Sequence, residues 1–370
     1  MARRLRFDSL AFVLLLALVA PVHAQVRVAA DPALQATPAP VATGGRTVAH
    51  PRGLAHQWPG VYFETAFEGS AAGFELVEPP LTVHVEVDGQ RVASLRKPSP
   101  GRYRIDGMDP GTHALRLETA SESQSAAHVF GGFLLPPGSS PAELPRRERR
   151  IEFIGDSHTV GYGSVSTTRE CSGEEVDMTT DTSAAFGPQV AKHYNADYRI
   201  NAISGRGIVR NYSGHDGDTV PTAWPYLLLS HEHVDSDTSW QPQVVVVALG
   251  TNDFSTALNE GEPWADRAAL RADYVHGYTR FVRQLRARWP GAHFVLWATD
   301  AVDGEIRDHA RQVATKLLGE GDRRISFLPV DGLDMQACHW HPSAADHVRL
   351  RDALVAHIDA LPSPWGTAGD

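Results

Sequence analysis

Two hydrophobic periods divide this chain. From about residue 50 to 135, apolar positions recur at every second residue: Val61, Phe63, Thr65 and Phe67, then Leu81, Val83, Val85 and Val87, then His113, Leu115 and Leu117. That is the spacing of strands with one face on a core. Asp88-Gly89 and Asp109-Pro110-Gly111 interrupt the runs with residues that suit tight turns. Short strands between such turns predict a β-sandwich of jelly-roll type over residues 49–137. Past residue 150 the pattern becomes short, largely apolar runs at 151–154, 244–249, 294–297 and 325–330, with 198–203 weaker. Runs of this kind read as parallel strands buried on both faces. Between them Leu270, Tyr274, Tyr278, Phe281, Leu285 and Trp289 recur at three- and four-residue steps, the apolar stripe of a helix. A last helix opens at Pro342 and carries Ala344, Val348, Leu354, Ile358 and Leu361 on one face. Alternating strands and helices predict a doubly wound α/β domain over residues 150–364, with its site beyond the carboxyl ends of the strands.

The remaining segments carry other signals. Arg3, Arg4 and Arg6, the apolar run Leu10 to Ala20 and the small residues flanking His23 read as a cleaved secretory signal over residues 1–24. The protein is therefore expected to be secreted or periplasmic. Ala-, Pro- and Thr-rich residues 25–48 read as a flexible leader, and 138–149 as a linker whose Arg146, Arg147, Arg149 and Arg150 form a solvated charge run. No later run is long enough to span a membrane. The 370 residues hold 34 Lys and Arg against 44 Asp and Glu, a formal charge of −10. An acidic chain of this kind lacks the basic face of a nucleic-acid protein. Export also gives meaning to the two cysteines, Cys171 and Cys338, which permit one disulfide or remain two small buried residues.

The expected strand ends carry the chemistry. The first gives Gly155-Asp156-Ser157-His158, a serine on a tight strand-to-helix turn near amide donors. The weaker strand ends in Ser204-Gly205-Arg206-Gly207, where glycine offers a bare backbone N–H. Another ends in Gly250-Thr251-Asn252-Asp253, whose Asn amide can face a developing oxyanion. The last leads into Cys338-His339-Trp340-His341-Pro342, with a histidine just before the final helix. Each motif alone is weak; four at successive strand ends are strong.

Together they resemble the SGNH (GDSL-like) hydrolases, a flavodoxin-like α/β superfamily named for these Ser, Gly, Asn and His residues. Gly161-Tyr162-Gly163, the stretch Ser204 to Tyr212, and Trp340-His341-Pro342-Ser343 narrow the resemblance to carbohydrate esterase family 2, as does the β-domain ahead. The resemblance spans roughly residues 50–360 and implies a serine esterase removing O-acetyl groups from xylan- or mannan-type carbohydrate. It implies Ser157 as nucleophile, His341 as base, and an oxyanion hole from the amides of Ser157 and Gly205 with the side chain of Asn252. Tyr162 and Trp340 are expected against the sugar, while Trp224 and Trp264 are either more distant platforms or core residues. Asp156 is expected to bond its own turn. The chemistry needs no cofactor and no metal, the expected partner is acetylated carbohydrate, and the chain is expected to act as a monomer.

One departure matters. The family acid, expected two or three residues before the base, is replaced here by His339 and Cys338. Asp334 and Asp331 are offset from that spacing, so either a displaced acid orients His341 or a main-chain carbonyl does. If position 339 is simply a vacated acid, His339→Asp is expected to be neutral or activating. His339 and His341 lack neighbours to complete a metal set, and His231-Glu232-His233 reads as a solvated loop. Two rivals remain open: an esterase for other short acyl groups, and a carbohydrate-binding protein that has lost catalysis.

Overall fold

The computed structural model describes residues 25–78 and 81–366, so the expected signal segment, residues 1–24, lies outside the described residues. The period-two half forms two antiparallel sheets of seven and six strands. Phe63, Phe67, Val85, Leu115 and Leu117 of one meet Phe74, Ile105, Phe130 and Phe133 of the other in a single apolar cluster. The Phe63 and Phe130 rings stack at 4.1 Å. This is a β-sandwich.

Residues 25–48, read above as a flexible leader, belong to that sandwich. Arg27–Ala30 pairs with Gly101–Asp106, and Ala42–Gly44 pairs with the strand Tyr62–Gly69. Leu34 and Arg46 are buried. Edge strands of Ala, Thr and Pro carry too little apolar alternation to show in sequence. The expected linker is also shorter than read: Ser140–Ala142 adds another strand beside Tyr62–Gly69.

The second half is a five-stranded parallel sheet of Arg149–Gly155 (β1), Ala196–Ala202 (β2), Val244–Ala248 (β3), His293–Thr299 (β4) and Ile325–Val330 (β5). Its order is β2-β1-β3-β4-β5, so the topological switch lies between β1 and β3. A single turn of helix, Ser157–Val160 (α1), follows β1. Helices Phe186–His193 (α2) and Ala344–Asp359 (α5) cover one face of the sheet. Arg267–Arg288 (α3) and Glu305–Gly319 (α4) cover the other. The apolar stripe of α3 is buried as expected, but α5 turns differently: Val348 is exposed, while His347 and Leu350 face the core beside Leu354 and Ile358.

Alternation in the sandwich predicts a wet polar face. On the six-stranded sheet that face instead docks on the α/β domain. Glu118 is fully buried and accepts from the Tyr198 hydroxyl of β2 and from Lys192 Nζ of α2 at 3.0 Å. Arg116 bonds Glu64 at 2.9 Å and lies 3.5 Å from the Tyr62 ring centroid. Arg147, expected in a solvated run, forks onto Glu64 at 2.6 and 2.7 Å and reaches Asp197 at 3.0 Å. His84 meets Asp181 at 3.0 Å. Arg46 plugs a second seam, donating to the Trp224 and Tyr226 carbonyls.

These charges are buried because they are paired. Burial alone would raise the Glu118 carboxyl, yet Arg116, Lys192 and the Tyr198 hydroxyl hold it down to about 2. Folded Glu118 thus binds its proton less tightly than the unfolded chain, whose value is 4.5. Its contribution is complete above pH 4.5 and fades as the pH falls toward 2. Arg116→Ala, which removes one cation each from buried Glu118 and Glu64, is expected to cost about 3 kcal/mol in urea unfolding at pH 7. A loss below about 0.5 kcal/mol would mean that the seam stabilises nothing.

Candidate active site

All four sequence motifs meet at the carboxyl edge of the parallel sheet. β1 ends at Gly155, where a Cβ would lie 2.0 Å from Thr159 Oγ1, so only glycine lets the chain turn into α1. Asp156 caps that turn, its Oδ1 accepting the His158 N–H at 3.1 Å. Ser157 starts the helix and is 4% exposed. Its hydroxyl lies 2.8 Å from Nε2 of His341, 184 residues further along.

Among the described residues, no acid is hydrogen-bonded to the His341 ring. Its Nδ1 lies 2.9 Å from the Cys338 carbonyl and 3.1 Å from the His339 carbonyl. Carbonyls only accept, so Nδ1 carries the proton and Nε2 is left as the acceptor for the Ser157 hydroxyl. Burial lowers the imidazole from 6.5 to about 4, with the carbonyl bonds opposing that shift. A neutral ring in this tautomer can take the serine proton. Tyr162 packs its ring 4.4 Å from His341, and His158 approaches edge-on at 5.5 Å.

Of the sequence candidates for orienting the base, main-chain carbonyls are in place and the side chains lie elsewhere. Asp334 is half exposed and pairs with Arg349 at 3.5 Å. Asp331 pairs with Arg307 at 3.1 Å. The His339 ring turns away from His341, its Nδ1 3.1 Å from the Tyr162 hydroxyl and its Nε2 2.8 Å from the Cys171 carbonyl. Cys171 and Cys338 are joined as a disulfide with a Cα–Cα distance of 5.4 Å.

On the other side of Ser157, Gly205 has φ of 80° and open space where a side chain would project. Asn252 Nδ2 donates to the Arg206 carbonyl at 2.9 Å and more loosely to Asp156 at 3.3 Å. These bonds tie the three turns after β1, β2 and β3 together. Asp253 is buried and accepts the amides of Ile208, Val209 and Arg210 at 2.9–3.2 Å. Burial, then the facing Asp253, push Asp156 up to about 7. Burial likewise raises Asp253 to about 6, against the pull of its amide donors.

Two exposed aromatics flank the serine. Trp340, 58% exposed, adjoins the base; Tyr212, 48% exposed, donates its N–H to the Gly205 carbonyl at 2.9 Å. Trp224 lies in the core against Trp289, and Trp264 bonds Asp273 outside the site. His231 pairs with Asp218 at 2.7 Å. Sequence reasoning gave no role to Glu122 and Gln124 of the sandwich, which grip Ser204 beside Gly205. Glu122 accepts the Ser204 N–H at 2.8 Å, and Gln124 donates to the Ser204 carbonyl at 2.9 Å. Nothing local marks them, because their partner lies in the other domain. Tyr212 was legible as part of the stretch beginning at Ser204.

A ¹⁵N NMR titration checks the central geometry. His341 should carry its proton on Nδ1 at pH 7 and titrate near pH 4. A midpoint near 6.5 with mixed tautomers would contradict the carbonyl-held ring.

Compared with known proteins, the chain matches the carbohydrate esterase 2 N-terminal domain over residues 43–145 and the GDSL-like lipase/acylhydrolase family over residues 153–355. It is 42% identical over 334 residues to an acetylxylan esterase / glucomannan deacetylase of Cellvibrio japonicus (strain Ueda107), covering 89% of this chain and 93% of the relative. A solved carbohydrate esterase, described as displaying divergent catalytic and non-catalytic binding functions in its active site, aligns with a TM-score of 0.84. It is 40% identical over 89% of this chain and 100% of that one. A family two carbohydrate esterase from Clostridium thermocellum, in complex with cellohexaose, aligns at 0.77 and 26% identity over 86% of this chain and 98% of its own. The chain thus belongs to the GDSL-like hydrolases in their carbohydrate esterase family 2 branch, and it is a carboxylic ester hydrolase.

Proposed function

We propose that this protein is a secreted, monomeric serine esterase that removes O-acetyl groups from xylan- or glucomannan-type carbohydrate through an acetyl-enzyme. The observation that carries the reading is the 2.8 Å contact between Ser157 Oγ and the unprotonated nitrogen of His341. Ser157 Oγ attacks the acetyl carbonyl while its proton passes to Nε2. The ester C–O bond then breaks, and Nε2 gives the proton to the departing sugar oxygen. Water loses a proton to Nε2 and attacks the acetyl-serine; the proton returns to Ser157 and acetic acid leaves, ionising to acetate in solvent. The oxyanion is held by the amides of Ser157 and Gly205 and by Asn252, whose looser hydrogen swings from Asp156 to the incoming oxygen.

Trp340 and Tyr212 supply faces on which sugar rings stack, with Tyr162 beside them. The relatives' carbohydrate activities support this substrate class. Export rests on residues 1–24, and a jelly-roll strand path remains our reading of the sandwich. Among the described residues, no helix is long and apolar enough to cross a membrane.

Ser157→Ala is expected to lower acetyl-ester hydrolysis more than about 10³-fold with Tm unchanged. Comparable turnover in that variant would end the serine-esterase reading. Faster cleavage of a butyrate than an acetate ester would favour another acyl substrate, and a wild type inert toward every ester would favour a binding protein. Asp334→Ala and Asp331→Ala should each keep most activity, whereas a displaced acid would cost about 10⁴. Only the neutral imidazole accepts a proton, so kcat/KM should rise through an acid limb near pH 4 and stay level from 6 to 8.

A further inference from the structure

The carbonyls that aim His341 belong to a turn closed by two backbone bonds of its own, Ala337 N–H to the His341 carbonyl at 3.1 Å and His341 N–H to the Cys338 carbonyl at 3.2 Å, yet strained between them. Its residues His339 and Trp340 have φ of 52° and 59°, the left-handed region that ordinary residues avoid. A backbone kept there must be over-determined by its surroundings. Those surroundings come from the segment following the nucleophile turn.

Four ties converge on the turn. Cys338, whose carbonyl is the nearer acceptor for His341, is bonded through sulfur to Cys171. The main-chain N–H of His339 donates to the Arg169 carbonyl at 2.8 Å. The His339 ring donates from Nε2 to the Cys171 carbonyl at 2.8 Å and accepts the Tyr162 hydroxyl at Nδ1 at 3.1 Å. Arg169 then reaches across to the Met335 and Asp334 carbonyls at 2.8 and 2.9 Å, bracketing the same turn from its upstream side. Gly163 allows the close approach, since a Cβ there would lie 2.5 Å from Cys338 Cβ.

We propose that His339 and the Cys171–Cys338 disulfide are positioning elements that fix the Cys338 and His339 carbonyls against His341, doing jointly what a carboxylate does alone. The inference rests on His341 being the base. A carboxylate aims an imidazole by charge and tolerates some slack. A neutral carbonyl aims it only by geometry, so the turn must be rigid. His339 is therefore not a vacated acid position. His339→Asp loses the donor to Cys171 and lowers activity, the reverse of what the sequence alone led us to expect.

Esterase activity is on this view sensitive to thiols. A dithiol passes two electrons and two protons to the disulfide, leaving Cys171 and Cys338 as thiols and closing into a cyclic disulfide itself. Cys171 is half-buried and Cys338 fully buried, so attack falls on the Cys171 sulfur.

The test uses the full chain in five forms: wild type, wild type reduced with dithiothreitol, Cys171→Ser/Cys338→Ser, His339→Ala and His339→Gln. Each is measured for kcat, KM and Tm on an aryl acetate, and for the ¹⁵N shifts of His341. In the reduced, double-serine and alanine forms kcat should fall about ten- to hundredfold, the scale of a small misplacement of a catalytic group. KM should stay within about twofold, with His341 becoming a mixture of tautomers. His339→Gln keeps both a donor and an acceptor and should recover most of the loss, and reoxidation should restore the reduced enzyme. If the serine variants fail to fold, reduction of the folded wild type carries the test.

Unchanged kcat and an unchanged tautomer would overturn the proposal. A fall in Tm with an intact tautomer and rate would make the disulfide merely structural, which also overturns it. A mixed tautomer with undiminished kcat would show that His341 is not the base. That outcome overturns the functional reading as well, and so separates the two failures.

Discussion

An imidazole buried beside carbonyls, with no acid in contact, must be neutral to exist at neutral pH. Its tautomer is then decided by which of its nitrogens meets an acceptor that cannot donate. At His341 that nitrogen is Nδ1, facing the Cys338 and His339 carbonyls, and the choice leaves Nε2 for Ser157. Burial lowers the ring's proton affinity, which weakens it as a base but keeps it unprotonated well into the acid range. A buried Asp would have raised that affinity and stabilised the imidazolium formed during attack. In the proposed mechanism that stabilisation falls to two carbonyl dipoles, whose value depends on their alignment.

Alignment at the oxyanion side raises the same problem in another form. Gly205 sits on a loop with left-handed φ, and such a loop keeps its amide aimed only if it is gripped from several directions. Asp253 gathers three amides from below, and Asn252 holds the Arg206 carbonyl. Glu122 and Gln124 hold both ends of the Ser204 peptide from the sandwich. The sandwich is therefore part of the active-site wall. The paired charges between the domains, such as Glu118 with Lys192, hold the same sandwich against the α/β domain.

The sequence displayed what chemistry and core packing demand of residue type. Ser157, Gly205, Asn252 and His341 stood at strand ends because the parallel strands were apolar enough to locate. The stripe on α3 was legible because one side of it meets only core. What hid was everything governed by partners distant in sequence. Arg46 and Arg147 look like ordinary surface cations until their carboxylates and carbonyls are seen, and strands within residues 25–48 lack the apolar alternation that betrays a strand. On α5, His347 occupies a core position that an apolar count cannot assign, since a histidine is buried only where a neighbour such as the Phe186 N–H meets its ring. His339 hid most completely, because an unexpected residue at an expected position reads as a loss.

The two buried carboxyls behind the oxyanion loop show a balance between holding a structure and charging it. Asp156 and Asp253 accept backbone and amide hydrogens, which argues for ionised oxygens, yet burial raises them to about 7 and about 6, with the facing Asp253 adding to the rise at Asp156. Two full negative charges there would oppose the oxyanion that the proposed mechanism forms beside Asn252. Carboxyls raised in this way keep their hydrogen-bond acceptors while carrying less than two full charges near neutral pH. On the base side the same economy of charge appears as carbonyls in place of a carboxylate. The pocket around the reacting carbon thus builds its geometry chiefly from neutral dipoles, and dipoles act over so short a range that cross-links and buried pairs must keep them in place.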